Sequence, residues 1–188
     1  MKTIYLLRHG KPDYPKASFL SGHDFGRWID RFNNKGITSD SNPPKEVIKL
    51  ASNCEKILCS TLQRSTESAH KLATPAFVIA DSLFVEVDIP QPKPKTLKLP
   101  LCLWLLSMRI AWFLGYTKNC NSISEETKRA YSCGRKLEKY SEKHSQIMLI
   151  GHGFINRFIG RYLSENGWQK NKLNKEKYWS LYQYSNEL

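Results

Sequence analysis

Short apolar runs alternate with helical stripes along most of this chain. Residues 3–7 read as a short buried strand, and 11–42, rich in Gly, Asn and Asp, as a long loop with one helical turn around 25–32. Prolines open a helix from 44 to about 52. Residues 56–59 form a second strand, 62–72 a helix and 77–80 a third strand, with 83–87 extended. Residues 91–99 are a proline- and lysine-rich connector, followed by an apolar helix over 101–114. Ser124 ahead of Glu125 and Glu126 predicts a capped helix running to about 143. A fourth strand follows at 146–150. Phe154, Phe158, Ile159 and Leu163 then share one helical face, and 179–184 make a last strand.

Strands and helices in alternation predict an α/β protein: a three-layer αβα sandwich whose central sheet is mostly parallel, with helices on both faces. One domain over 1–188 is expected, with 91–122 an insertion capping the site. Ligands in such sheets bind beyond the carboxyl ends of the strands.

Residues 97–116 are long enough to span a bilayer, but Lys98, Pro100 and Arg109 interrupt them, and Arg near a bilayer centre is costly. A buried or lid-like helix is the better reading, with weak contact to a membrane surface left open.

The chain has 188 residues, and Lys and Arg exceed Asp and Glu by 29 − 17 = +12. That balance attracts anions such as phosphoesters, nucleic acid or anionic lipid. The five cysteines form no CxxC pair, and the apolar stretch before Arg8 is too short for a secretory core, so reduced thiols and a cytoplasmic location are expected.

Three predicted strands end on residues suited to phosphoryl chemistry. The first runs into Arg8-His9-Gly10, the second into Ser60-Thr61-Leu62-Gln63-Arg64 and the fourth into Gly151-His152-Gly153. Two guanidiniums can grip a phosphoester and neutralise charge building in the transition state. A neutral imidazole can attack phosphorus and hold the phosphoryl group until water removes it. Like charge on Arg8 and Arg64 would keep that imidazole neutral, and a backbone carbonyl would fix its tautomer. Gly10 would let backbone approach the phosphate.

Leu7-Arg8-His9-Gly10 resembles the LRHG signature of the histidine phosphatase (phosphoglycerate-mutase-like) superfamily, branch 1. Residues 60–64 and 150–153 resemble its second and third motifs, in the same order. The resemblance implies a phosphohistidine at His9, a phosphate pocket completed by Arg8, Arg64 and His152, and a general acid at Glu86, within a segment similar to the family's LxExxxG. The WEG that usually follows is absent, and Asp88 is the rival acid. Ser68 stands where threonine is usual, Lys11 replaces a common acidic residue, and Phe154 replaces a second glycine.

The expected activity is hydrolysis of a phosphorylated small molecule with neither cofactor nor metal, since cationic arginines would repel a divalent ion. Mutase-type phosphoryl transfer and non-enzymatic RNA or membrane binding are the alternatives. Nucleic acid is disfavoured because the basic residues are scattered. A cysteine phosphatase would need Cys-x5-Arg, and Cys59 is one residue too close to Arg64. Lys11 and the histidines 23, 70 and 144 are read as surface or loop residues. Leu103, Trp104, Leu105, Trp112 and Phe113 suggest an apolar or aromatic leaving group, unless part of them packs on the core.

Overall fold

A computed structural model of the chain describes residues 1–14, 17–74, 77–92, 97–174 and 176–187. In chain order its elements are β1 (Lys2–Arg8), β2 (Phe19–Ser21), α1 (Gly22–Asn33), α2 (Lys45–Ser52), β3 (Lys56–Cys59), α3 (Gln63–His70), β4 (Val78–Ala80), β5 (Lys98–Pro100), α4 (Leu101–Phe113), α5 (Ile123–Lys143), β6 (Gln146–Gly151), α6 (Gly153–Glu165), β7 (Gln169–Lys172) and β8 (Leu181–Asn186). Among the described residues the main sheet has six strands in the order β4-β3-β6-β1-β8-β7. The first four are mutually parallel, and β8 runs antiparallel to both β1 and β7.

Successive strand residues face opposite sides of the sheet, and both sides are covered. Ile4, Leu6, Leu58 and Leu149 pack with Ala130 and Leu137 of α5 and Ile155 and Ile159 of α6. Tyr5, Leu7, Ile57, Cys59, Met148 and Ile150 pack with Val47 and Ala51 of α2 and Ala69 of α3. Burial on both faces explains why the parallel strands are nearly continuous apolar runs. The result is the three-layer α/β architecture that the pattern predicts.

Several elements differ from their sequence reading. Residues 22–33 form a full helix, capped by Ser21 accepting from the amide of Asp24. Glycines at 22 and 26 and a polar composition disguise its stripe, in which Phe25 and Trp28 are buried. The cap of α5 is Ser122, not Ser124: only Ser122 has a glutamate three residues on, and Ser122 with Glu125 makes a reciprocal capping box. Residues 82–84 form a single 3-10 turn rather than extended chain. The last strand starts at Leu181, because Trp179 has a φ of 57° that no strand residue adopts. The exposed polar edge strand β7 carries no apolar signal, and β2 and β5, of three residues each, are too short to show a pattern. Residues 93–96 of the connector lie outside the described residues. No helix among the described residues is long and apolar enough to cross a membrane.

Candidate active site

The pairing of β1 and β3 with β6 sets Arg8 opposite Gly151 and Cys59 opposite Ile150. The next residues, His9, Ser60 and His152, therefore emerge side by side at the carboxyl edge of the sheet. Backbone bonds lock this edge: the amide of His9 donates to the Gly151 carbonyl at 3.1 Å, and the amide of Trp179 donates to the His9 carbonyl at 3.4 Å. The two imidazoles are buried, with ring centroids 5.0 Å apart.

Nδ1 of His9 lies 2.7 Å from the carbonyl oxygen of its neighbour Gly10. A carbonyl only accepts, so Nδ1 is the protonated nitrogen and Nε2 carries the lone pair. The His9 pKa falls to about 3, chiefly through burial, then through the Arg64 guanidinium, with Arg8 a smaller cause and the Gly10 bond opposing. Burial thus outweighs the arginine charge that sequence reasoning invokes for this nitrogen. His152 is held well below its usual range by burial first, then by His9 and Arg64. Its Nε2 is 2.6 Å from Ser60 Oγ. That hydroxyl also accepts from the Leu62 amide at 3.3 Å.

Arg64 opens α3 with its side chain buried, its guanidinium 4.6 Å above the Phe32 ring and Nη1 3.4 Å from the Phe32 carbonyl. Burial lowers its pKa to about 10, so it remains a cation at neutral pH. Arg8 is braced by the Tyr178 ring at 5.0 Å and by the Lys177 carbonyl at 3.1 Å. Nε of Arg8, Nε of Arg64 and Nδ1 of His152 are all buried without a hydrogen-bond partner. Buried donors are normally paired, and leaving one unmade costs about 1–3 kcal/mol.

Arg8, His9, Arg64 and Glu86 line one pocket of about 370 Å³. One carboxylate oxygen of Glu86, Oε1, accepts from the amides of Val87, Phe154 and Ile155 at 2.9–3.1 Å, while Oε2 has only the Phe154 amide, at 3.2 Å. A Cβ at Gly153 would make ordinary contacts of 3.7–3.8 Å with Arg8 and with Glu86 Oε2. Asp88 lines the same pocket, its acid raised by partial burial and the nearby Glu126 carboxylate.

Gly10 is a correction. Its amide is spent on Ser68 Oγ at 2.9 Å, and it lies behind His9 rather than on the pocket wall. A Cβ at this position would sit 2.6 Å from Ser41 Oγ and 2.7 Å from the Trp179 ring, so glycine is needed for packing, not for backbone approach to a ligand. Ser68 also donates to the Arg64 carbonyl at 2.6 Å, tying the first motif to the second. Lys11 faces Asp40 on the surface, and His23 and His70 are exposed.

Sequence reasoning missed the far wall. Trp28 and Phe32 of α1 stack with Tyr14, at 5.2 and 4.8 Å from Phe32, and all three line the pocket. Arg109 also lines it, donating to the Val87 and Asp88 carbonyls from over the Phe154 ring. A lone arginine in an apolar helix was the available signal for that contact. Of the five apolar residues suggested for substrate, Leu105 lines the pocket, Trp104 and Trp112 are buried, and Leu103 and Phe113 are exposed. Cys59 is buried, and its thiol is pushed up to about 11, which opposes thiolate chemistry. Among the described residues no group of three or more His, Cys, Asp or Glu side chains could hold a metal ion.

No family model and no curated protein sequence matches this chain. Solved structures do match. A mycobacterial glucosyl-3-phosphoglycerate phosphatase superposes with a TM-score of 0.60 at 17% identity, over 87% of this chain and 80% of that one. Its complex with inorganic phosphate gives 0.58 at 15%, over 88% and 80%. The phosphoserine phosphatase of Entamoeba histolytica, in complex with 3-phosphoglyceric acid, gives 0.57 at 19%, over 88% and 81%. The chain has the fold of these phosphatases.

Proposed function

We propose, from the fold shared with those phosphatases and the geometry of this pocket, that the chain is a phosphomonoester hydrolase working through a phosphohistidine at His9 without a metal. The observation that carries the reading is the pair of unpaired buried donors, Arg8 Nε and Arg64 Nε, lining one pocket with an imidazole that keeps its lone pair on Nε2; His152 lies beside His9 and borders an adjacent cavity with Arg8. Fixed cationic donors suit a phosphoryl group whose charge grows in the transition state.

His9 Nε2 attacks phosphorus and the ester P–O bond breaks. The departing oxygen takes a proton from Glu86, or from its rival Asp88. Water then attacks the phosphohistidine and gives a proton back to that carboxylate; the N–P bond breaks, its electron pair returns to Nε2, and inorganic phosphate leaves. Ser60 holds the His152 ring in place through its Nε2, and burial keeps that ring neutral. Glu86, held by the amino end of α6, lines the same pocket as Arg8.

The substrate is a phosphorylated small molecule, a class that suits the pocket's volume and to which phosphoserine and 3-phosphoglyceric acid, bound by a neighbour of the same fold, belong. Residues 91–122 supply half of a cap through α4. Residues 17–33 supply the other half, joined to it by β2–β5 pairing and by the bond from Trp104 Nε1 to the Leu20 carbonyl. The cap and the three-layer sheet make a single domain. The five free cysteines suit work in the reducing cytoplasm.

The test is p-nitrophenyl phosphate hydrolysis in excess EDTA. Activity should persist with chelator and vanish in His9→Ala. Activity retained by the variant, or abolished by EDTA, overturns the proposal.

A further inference from the structure

Helix α4 is apolar around most of its circumference, Ser107 and Arg109 aside, yet it is not enclosed. A helix of this kind normally lies buried in a core. Its inner side, with Trp104, Leu105 and Trp112, packs beside the pocket. On the other side Leu103, Leu106, Ile110 and Phe113 recur at intervals of three and four residues, each 45–59% exposed. The same surface extends beyond the helix to Leu114, 83% exposed. Phe19 of β2 and Leu97, just ahead of β5, are exposed as well. Contiguous apolar surface of this kind marks a contact site.

The charge around it says with what. Residues 89–124 contain five Lys or Arg, at 93, 95, 98, 109 and 118, and no Asp or Glu, although the chain has seventeen acidic residues. Lys98 and Lys118 are exposed near the two ends of the helix. A second copy of a chain carrying +12 is repelled at such a face, whereas a negatively charged lipid surface is attracted. With 13 residues, α4 is about 20 Å long, enough to lie along a bilayer and too short to cross it.

We propose that this face of α4 docks on a bilayer containing anionic lipid, the helix lying in the interface with its apolar residues below the headgroups and Lys98 and Lys118 among them. The helix that touches lipid is then the one that lines the pocket through Leu105 and Arg109.

The experiment is flotation of the whole chain with phosphatidylcholine vesicles, with and without phosphatidylserine. Binding should require phosphatidylserine and weaken as salt rises. The double variant Leu106→Glu, Ile110→Glu should lower the bound-to-free ratio by about tenfold or more. Both residues lie off the pocket and are exposed, so circular dichroism and p-nitrophenyl phosphate hydrolysis should be unchanged. No flotation with anionic vesicles, equal binding to neutral ones, or equal flotation of the double variant overturns the proposal. So does sedimentation showing a dimer that the double variant abolishes, which would assign the face to self-association. Flotation does not depend on turnover, so its outcome is separate from that of the His9 test.

Discussion

Oε1 of Glu86 lies 2.9 Å from the amide of Ile155, in the first turn of α6. Oε1 accepts from three amides, whereas Oε2 accepts only from that of Phe154, at 3.2 Å. Proton donation from that oxygen matters for a poor leaving group and little for nitrophenolate. Glu86→Gln should therefore depress alkyl phosphate turnover by about 10²–10⁴ and nitrophenyl phosphate turnover far less. Equal losses on both substrates would make Glu86 a positioning residue. A selective loss in Asp88→Asn instead would transfer the acid role to Asp88.

Acid should destabilise the fold through its two buried imidazoles. The folded chain keeps His9 neutral down to about pH 3, whereas the ordinary value is 6.5. Between those values the unfolded chain binds a proton that the folded chain refuses. This stability is complete above about pH 6.5 and is lost as pH falls towards 3, by up to about 1.4 kcal/mol per pH unit for each histidine. Tm should fall between pH 7 and 5, and less steeply in His9→Asn. Parallel slopes for the two proteins would contradict the assignment.

Anions should stabilise the chain through the unpaired donors. Vanadate at about 100 times its Kd should add roughly 2.7 kcal/mol, read as a rise in Tm. Arg64→Ala should remove that rise and cut turnover by about 10²–10³. An undiminished vanadate response in the variant would place the anion elsewhere.

Gly10→Ala should act by steric pressure, since the new methyl meets Trp179 and Ser41. Overpacking of this order costs about 1–3 kcal/mol. Chemical denaturation should show the loss, together with reduced activity as the His9 turn shifts. An unchanged midpoint would mean that the Trp179 ring yields freely.

The parallel strands and the histidines and arginines after them were legible because burial on both faces forces continuous apolar runs, and the motifs follow at the ends of those runs. The pocket's far wall was not. Tyr14, Trp28 and Phe32 lie in a segment whose glycines and polar residues mask its helix, and their stacking depends on contacts between elements distant in sequence. Ser60 and Ser68 stood out only as motif positions, because their contacts depend on which backbone atom or ring nitrogen lies within 3 Å.

The place of β1, between β6 and β8, has a consequence in time. The strand that leads into His9 is made before both of its partner strands, which begin only at Gln146 and Leu181. Its apolar residues must wait, unpaired and sticky, until those segments have followed. The reactive turn also waits, because Trp179, which braces His9 and Gly10 from behind, comes just ahead of β8. A chain halted before β8 would thus be both prone to aggregate and catalytically silent, with activity appearing only once these distant segments have met.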